Sequence, residues 1–121
     1  MLLVIAVVGK LLVSSSITAF AQDTLRFNAD SVYLKFEIDR VRVLESILPP
    51  GGKEKTHSHP AYVIYVIEGG KVRTHGVDGS VAEADFKTGD VIYREAVTHW
   101  AENIGKTTIR LELVELKDAP R

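Results

Sequence analysis

The chain has 121 residues, a formal net charge of −1 and no cysteine. Apolar residues make up 45% of it and charged residues 26%, which is the balance of a single soluble globular domain and excludes a disordered chain. The lack of cysteine excludes disulfides, thiolate metal ligands and a cysteine nucleophile. No run of Lys or Arg is present, so nothing indicates nucleic-acid binding.

The first 21 residues have the pattern of a secretory signal peptide. An apolar stretch ends in Ala19-Phe20-Ala21, a small-x-small cleavage signal. The usual positively charged start is missing, because Lys10 lies in the middle of the segment. We expect cleavage after Ala21, export to the periplasm or the medium, and a mature domain of residues 22–121 without a membrane span. The alternatives are an uncleaved amphipathic anchor or a first strand of the domain.

Beyond this segment, short runs rich in Val, Ile, Leu, Tyr and Phe alternate with turn residues. Gly69-Gly70 and Asp78-Gly79 supply the positive φ of tight hairpins, and no stretch shows a sustained helical period. Short strands at this spacing are typical of an all-β sandwich or barrel. The predicted strands are Ser31–Asp39, Val41–Leu48, Ala61–Glu68, Lys71–His75, Ser80–Phe86, Asp90–Tyr93, Thr98–Glu102 and Thr107–Leu116.

Two of the predicted strands, Val41–Leu48 and Thr107–Leu116, carry apolar residues on both faces. A strand that covers a core on one side and faces water on the other reads as a clean alternation, which these two do not show. They therefore predict a wall that is buried on both sides, as at a contact between two copies of the chain.

Three of the four histidines form a candidate metal site. His57-Ser58-His59 is an H-x-H pair, and residues two apart on a strand point to the same face. His99 opens a later strand-like run and is the third candidate. Neutral imidazole is a common ligand of Zn, Cu, Ni and Fe. The fourth histidine, His75, precedes a hairpin turn and is predicted to be an exposed turn residue.

The surroundings of the H-x-H pair resemble the first motif of the cupin family. That motif is Gly, five residues, H-x-H, three or four residues, Glu, then six residues and Gly. Here Gly51 stands six residues before His57, and Gly70 follows His59.

A second stretch, Gly89–Asn103, resembles the second cupin motif, which is Gly, five residues, P-x-G, a short gap, His, three residues and Asn. In this stretch His99 and Asn103 occupy the motif's His and Asn positions. The resemblance covers Gly51–Asn103, about half of the chain.

This resemblance implies a small single-domain cupin β-barrel of the jelly-roll type. It implies His57, His59 and His99 as ligands of a divalent metal ion, which could be Fe, Mn, Zn, Cu or Ni. Together with the doubly apolar strands, it also implies a homodimer.

The chain departs from both motifs. The Glu position of the first motif falls at Val63 or Ile64, neither of which can bind a metal, and in the second motif Glu95 and Val97 replace Pro and Gly. One interpretation is a three-histidine site, in which the ion keeps its full positive charge and favours an anionic, chelating ligand. The other is a degenerate site that binds metal weakly or serves only recognition.

The same patterns give candidates for a substrate pocket. If the strand alternation runs on from His59, then residues 63 and 65 share its face. Nearby aromatic side chains would form a rim, and an arginine would pair with a substrate carboxylate. The predicted pocket residues are Val63, Tyr65, Tyr93, Arg94 and Trp100.

Three functions follow from these features. The first is a metal-dependent oxygenase acting on a small anionic substrate that chelates the ion, as in cupin dioxygenases that use three histidines. The second is a binding module that senses or carries a small molecule or metal without turnover. The third is a metal-assisted isomerase, decarboxylase or hydrolase, in which Zn²⁺ on three histidines acidifies water.

Overall fold

The computed structural model of the chain describes residues 23–118. One helical turn precedes nine strands. The elements are α1 (Thr24–Phe27), β1 (Val32–Glu37), β2 (Val41–Leu48), β3 (His57–His59), β4 (Tyr62–Glu68), β5 (Gly70–Gly76), β6 (Val81–Phe86), β7 (Val91–Arg94), β8 (Val97–Asn103) and β9 (Ile109–Leu116). The expected signal peptide, residues 1–21, lies outside the described residues. No helix within residues 23–118 is long and apolar enough to cross a membrane.

Each of the eight predicted strands is present, with bounds that differ by at most two residues. Two elements were not predicted. β3 has only three residues, too few for a periodic signal, and α1 is a single turn. Asp23 caps α1, because its side chain accepts a hydrogen bond from the Leu25 amide at 3.0 Å.

The strands form two antiparallel sheets that pack as a jelly roll. The five-stranded sheet has the order β1-β2-β9-β4-β7, and the four-stranded sheet has the order β3-β8-β5-β6. The all-β jelly-roll prediction is confirmed. The prediction of a barrel needs a correction, because within residues 23–118 no strand ladder joins one sheet to the other and the sheets are not closed.

The core lies between the inner faces of the two sheets. In β4, alternation turns Tyr62, Ile64 and Val66 inward, and all three are buried. Inward-facing residues of the other strands, placed by the same alternation, pack against these three. The buried cluster contains Val32, Leu44, Tyr62, Ile64, Val66, Val72, Phe86, Ala101, Ile109 and Leu113.

A tight turn leads from β2 towards β3. The Gly52 amide donates to the Pro49 carbonyl at 2.8 Å, and Gly51 has a φ of 77°. This is the geometry of a type II turn, whose third position requires a positive φ and therefore favours glycine. The turn brings the loop before His57 back across β8, where the Glu54 amide donates to the Ala101 carbonyl.

The outer face of the five-stranded sheet carries an apolar row between charged residues such as Glu45, Arg110 and Glu112. Cross-strand pairing aligns one residue from each strand in a row that we call the outer row: Phe36, Val43, Val114, Val63 and Tyr93. The aromatic residue at each end of the row is 52% exposed. The inward-facing side of β2 and β9 adjoins the core, and the other side carries Val43 and Val114 of the outer row; burial of that side against a second copy stays a prediction.

Candidate metal centre

Strand pairing brings the three candidate ligands together. β3 and β8 are antiparallel neighbours in which His57 lies directly opposite His99, and His59 lies opposite Val97. Residues directly opposite each other share a face, as do residues two apart on one strand. The three imidazoles therefore converge between the sheets, with ring centroids 4.7 to 5.5 Å apart.

The spacing of the three imidazoles fits one metal ion. One ring nitrogen from each histidine lies within 4.8 Å of the other two, and the Nε2 atoms of His57 and His59 are 3.0 Å apart. Imidazole nitrogens bind zinc at about 2.1 Å, so two of them on one ion can be at most about 4.2 Å apart. In a tetrahedral site the nitrogens would lie about 3.4 Å apart, so side-chain shifts of about 1 Å are needed to seat one ion among all three.

The hydrogen bonding of His57 leaves Nε2 free to bind a metal. Its Nδ1 lies 2.6 Å from the carbonyl oxygen of Lys55, which can only accept, so Nδ1 carries the hydrogen. The side-chain nitrogen Nδ2 of Asn28 is also 3.1 Å from Nδ1 of His57. The shorter contact, to the Lys55 carbonyl, decides the tautomer. The Nε2 lone pair of His57 then faces the rest of the cluster.

His59 is oriented in the same way by a carboxylate. Its Nδ1 lies 2.6 Å from Oε2 of Glu115, whose other oxygen accepts from the Arg42 guanidinium at 2.8 Å. Nδ1 of His59 donates to this carboxylate, and its Nε2 lone pair faces that of His57. Two lone pairs that face each other at 3.0 Å repel unless a cation lies between them, so the donor set suits a metal ion.

Burial favours the neutral form of two of the candidate ligands. It lowers the pKa of His57 to about 4, with a further contribution from nearby His59. It also lowers the pKa of His99 to about 3, with a further contribution from His57. Neutral imidazole is the metal-binding form, so protons do not compete for these two ligands near pH 7.

A cavity of about 470 Å³ adjoins the cluster, and both His59 and His99 line it. Its wall is mostly apolar, with Ile64 and Tyr62 on one side, and the Tyr62 ring stacks on that of His59 at 4.5 Å. Such a cavity can enclose a small organic molecule beside the centre. The polar and charged residues that line it are Ser46, Glu54, His59, Tyr62, Thr74, Glu83, Arg94, Glu95 and His99.

Sequence reasoning missed Glu54. This side chain is 11% exposed, lines the cavity, and has an oxygen 4.0 Å from Nε2 of His57. Burial raises its pKa to about 7, although a backbone hydrogen bond from Ala101 acts in the opposite direction. Its signal in the sequence is weak, because a charged residue in a loop between a turn and an H-x-H pair is ordinary.

Glu115 was also missed, but its signal was clear. The alternation of β9 places it on the same face as the apolar residues Leu111 and Leu113, and it is 1% exposed. A lone carboxylate on an apolar face has to find partners, because burying an unpaired charge costs several kcal/mol.

Of the predicted pocket residues, Arg94 lines the cavity, whereas Val63, Tyr65, Tyr93 and Trp100 do not. This is a correction to the prediction. The strand alternation does not run on from His59, because β3 ends there and belongs to the other sheet. β4 starts a new alternation at Tyr62, which turns Val63 and Tyr65 to the outer face.

Tyr93 lies opposite Val63 in β7 and shares its outward direction. Trp100 neighbours His99 on β8 and therefore points to the other face of its sheet. There its ring stacks on that of His75 at 3.8 Å. His75 was predicted to be an exposed turn residue, but it lies within β5 and is 23% exposed.

Comparison with known proteins identifies the family. The sequence profile of the cupin domain matches residues 44–115, which is more than half of the chain. The chain belongs to the cupin family. No curated protein matches its sequence.

Solved structures show the same fold. A cupin domain from Bordetella pertussis has 26% identity and a TM-score of 0.66, over 72% of this chain and 92% of that one. A cupin from Methanocaldococcus jannaschii with a double-stranded β-helix fold has 18% identity and a TM-score of 0.59, over 71% and 78%. A double-stranded β-helix protein from Klebsiella pneumoniae has 24% identity and a TM-score of 0.56, over 72% and 76%.

The departures from the cupin motifs have a structural meaning. Of the two positions where the first motif would place its carboxylate, Ile64 lines the cavity and Val63 faces outward. In the second motif, Glu95 and Val97 also line the cavity. This cupin therefore has an apolar wall beside its three histidines, and the carboxylate that lies 4.0 Å from Nε2 of His57 comes from the preceding loop, at Glu54.

Proposed function

We propose that this cupin is a metal-dependent oxygenase whose three-histidine centre holds a divalent ion and whose cavity takes a small anionic molecule that chelates it. The observation that carries the proposal is the pair of facing Nε2 lone pairs of His57 and His59, each set by a partner on Nδ1 that can only accept. This arrangement suits a cation. The bound ion would supply Lewis acidity and, if it is iron, redox capacity towards O₂.

The chemistry of the cavity supports an anionic substrate with an apolar body. Aliphatic and aromatic side chains form most of the wall, while Arg94 contributes a guanidinium. Within residues 23–118, Arg94 forms no ion pair with an Asp or Glu side chain, so it is free to bind a substrate carboxylate or enolate. Tyr62 would limit the space beside His59.

Metal content is the first test. We would purify the protein without a His tag and measure Fe, Mn, Cu, Ni and Zn by elemental analysis. The double variant H57A/H99A should lose a near-stoichiometric metal that the wild type holds. His75→Ala is the matched control, because this histidine lies outside the cluster, and it should keep the metal. A wild type that takes up no metal after reconstitution would sink the proposal.

Turnover is the second test. We would follow O₂ consumption by the Fe(II)-loaded protein with 2,4-pentanedione and with a small aliphatic thiol as probes, and repeat it after adding a chelator. Chelator-sensitive consumption supports the oxygenase. A metal-dependent melting shift with either probe, without O₂ uptake, would instead indicate the carrier or sensor function. Near-stoichiometric zinc would favour hydrolase, isomerase or decarboxylase chemistry.

We also propose that the protein is exported and forms a homodimer. Export is supported by the Ala19-Phe20-Ala21 cleavage signal at the end of the N-terminal apolar stretch. Dimerisation is supported by the outer row, because an apolar stripe that crosses five strands is costly to leave in water.

A further inference from the structure

We propose that Glu115 is the positioning residue of the metal centre: together with Arg42 and Asp23 it holds His59 in the Nδ1–H tautomer, so that Nε2 faces the ion. The metal-binding consequence rests on the function proposed above, whereas the tautomer itself does not. The inference concerns residues that touch no metal and act only through His59.

A continuous chain of charge-assisted hydrogen bonds carries the proposal. Oε2 of Glu115 accepts from Nδ1 of His59 at 2.6 Å, and Oε1 accepts from Nε of Arg42 at 2.8 Å. The terminal nitrogens of Arg42 then donate to the two oxygens of Asp23 at 2.6 and 2.7 Å. Each donor in this chain has an acceptor, so the direction of every hydrogen bond is determined.

Strand pairing and a helix cap hold this series of hydrogen bonds in place. Arg42 and Glu115 are direct cross-strand partners on β2 and β9, and Glu115 is 1% exposed. Asp23 caps α1 and forms an isolated bridge with Ser58, the residue between the two histidines of the H-x-H pair. The acceptor for His59 is therefore held by two strands and one helix cap rather than by a mobile side chain.

Two residues of this hydrogen-bond series lie outside the part of the sequence that the cupin profile matches. The profile covers residues 44–115, so Glu115 is its last position, while Asp23 and Arg42 precede it. The N-terminal turn and the first residues of β2 are thus part of the metal centre in this protein.

A change of one atom should reverse the tautomer of His59. In Glu115→Gln the side-chain oxygen has to face Arg42, because a guanidinium only donates. The amide nitrogen then faces Nδ1 of His59 and donates to it, which requires Nδ1 to be unprotonated. The hydrogen moves to Nε2, and His59 can no longer offer Nε2 to a metal.

The test measures the tautomer and the metal affinity separately. The ¹⁵N shifts and couplings of the imidazole nitrogens in the metal-free protein distinguish Nδ1–H from Nε2–H, and Zn²⁺ affinity is measured by competition with a chromophoric chelator. The matched control is Glu112→Gln, on the same strand but facing outward. Circular dichroism and melting temperature report whether each variant folds.

We expect the wild type and E112Q to show Nδ1–H at His59, and E115Q to show Nε2–H with Zn²⁺ affinity about 10- to 100-fold weaker. E115Q that keeps Nδ1–H and binds Zn²⁺ within twofold of the wild type would overturn the inference. So would Nε2–H at His59 in the wild type, a result that needs no variant and holds even if E115Q fails to fold. A reversed tautomer in a protein that binds no Zn²⁺ supports the inference while contradicting the proposed function.

Discussion

Buried ionisable side chains define this site residue by residue. His57 and Glu115 are almost completely buried, and each has a partner that fixes where its hydrogen or charge lies. Glu54 differs, because its carboxylate lines the cavity without an ion-pair partner closer than the 4.0 Å to His57. Its environment therefore disfavours the charged form.

Glu54→Gln should change how the stability of the metal-free protein depends on pH. The folded-state pKa of about 7 lies above the ordinary 4.5, so the folded chain holds its proton more tightly. The contribution of Glu54 to stability is then complete below pH 4.5 and is lost as the pH rises through 7. The free energy of unfolding of E54Q minus that of the wild type should therefore rise by roughly 2–4 kcal/mol between pH 4.5 and pH 8.

Urea unfolding in the presence of a chelator measures this difference at each pH. His57 and His99 have lowered pKa values and act in the opposite direction, but both proteins contain them, so their effect cancels. Glu95→Gln is the control, because Glu95 lines the same cavity but is exposed. A stability difference between E54Q and the wild type that stays constant with pH would show that Glu54 is charged in the folded state.

At the scale of elements, the candidate metal centre depends on the shortest strand. β3 has three residues and hydrogen-bonds to β8 on one side. On the other side it is supported by the N-terminal turn, where Asn28 accepts from the Lys55 amide at 2.8 Å and its own nitrogen lies near Thr24 and the Lys55 carbonyl. β3 is thus held in place by its contacts with β8 and the N-terminal turn rather than by its own length.

Asn28→Ala should loosen this support. Asn28 is 6% exposed, and its removal leaves the Lys55 amide without its acceptor, which typically costs about 1–3 kcal/mol. We expect this loss in chemical unfolding, together with faster hydrogen exchange in β3 than in β9. Asp30→Ala, an exposed change two residues later, should have little effect. Equal stability of N28A and D30A would mean that the turn does not support β3.

The elements also explain why the pocket prediction failed at four residues. Alternation is reliable within a strand, and it correctly grouped Leu111, Leu113 and Glu115 on one face of β9. It cannot be extended across Pro60 and Ala61, because the chain leaves one sheet there and enters the other. Pro60 is the sequence signal of this crossing, because proline cannot donate to a strand ladder and argues against a continuous strand.

At the scale of the whole molecule, the outer row is an apolar feature on the surface of the five-stranded sheet. Five strands contribute one residue each, and both ends of the row are half-exposed aromatic residues. A second copy that packs its own row against this one would bury both by two-fold symmetry.

Val63→Arg should therefore convert a dimer into a monomer. Val63 lies within the outer row and away from the cavity, so metal content should not change. Light scattering after size-exclusion chromatography measures the mass. Val77→Arg, at a 69% exposed apolar position just after β5, is the matched control and should remain dimeric. A monomeric wild type at micromolar concentration would contradict the dimer proposal.

Processing of the N-terminal segment is a second prediction at this scale. If the segment is a signal peptide, the exported protein should begin at Gln22, and Ala21→Arg should block cleavage because the site needs a small residue. Intact mass and N-terminal sequencing of the secreted fraction measure both. Recovery of a chain that retains residues 1–21 would favour the uncleaved anchor.

The sequence by itself determined the all-β class, the eight longer strands and the three histidines. These depend on local periodicity, turn chemistry and motif spacing, which are properties of residues close together in the sequence. The tertiary structure alone decided the partners of those histidines. Glu115 lies 56 residues after His59 and 73 residues after Arg42. Such contacts come from strand register across a sheet, and no local pattern encodes which distant carboxylate will meet which imidazole.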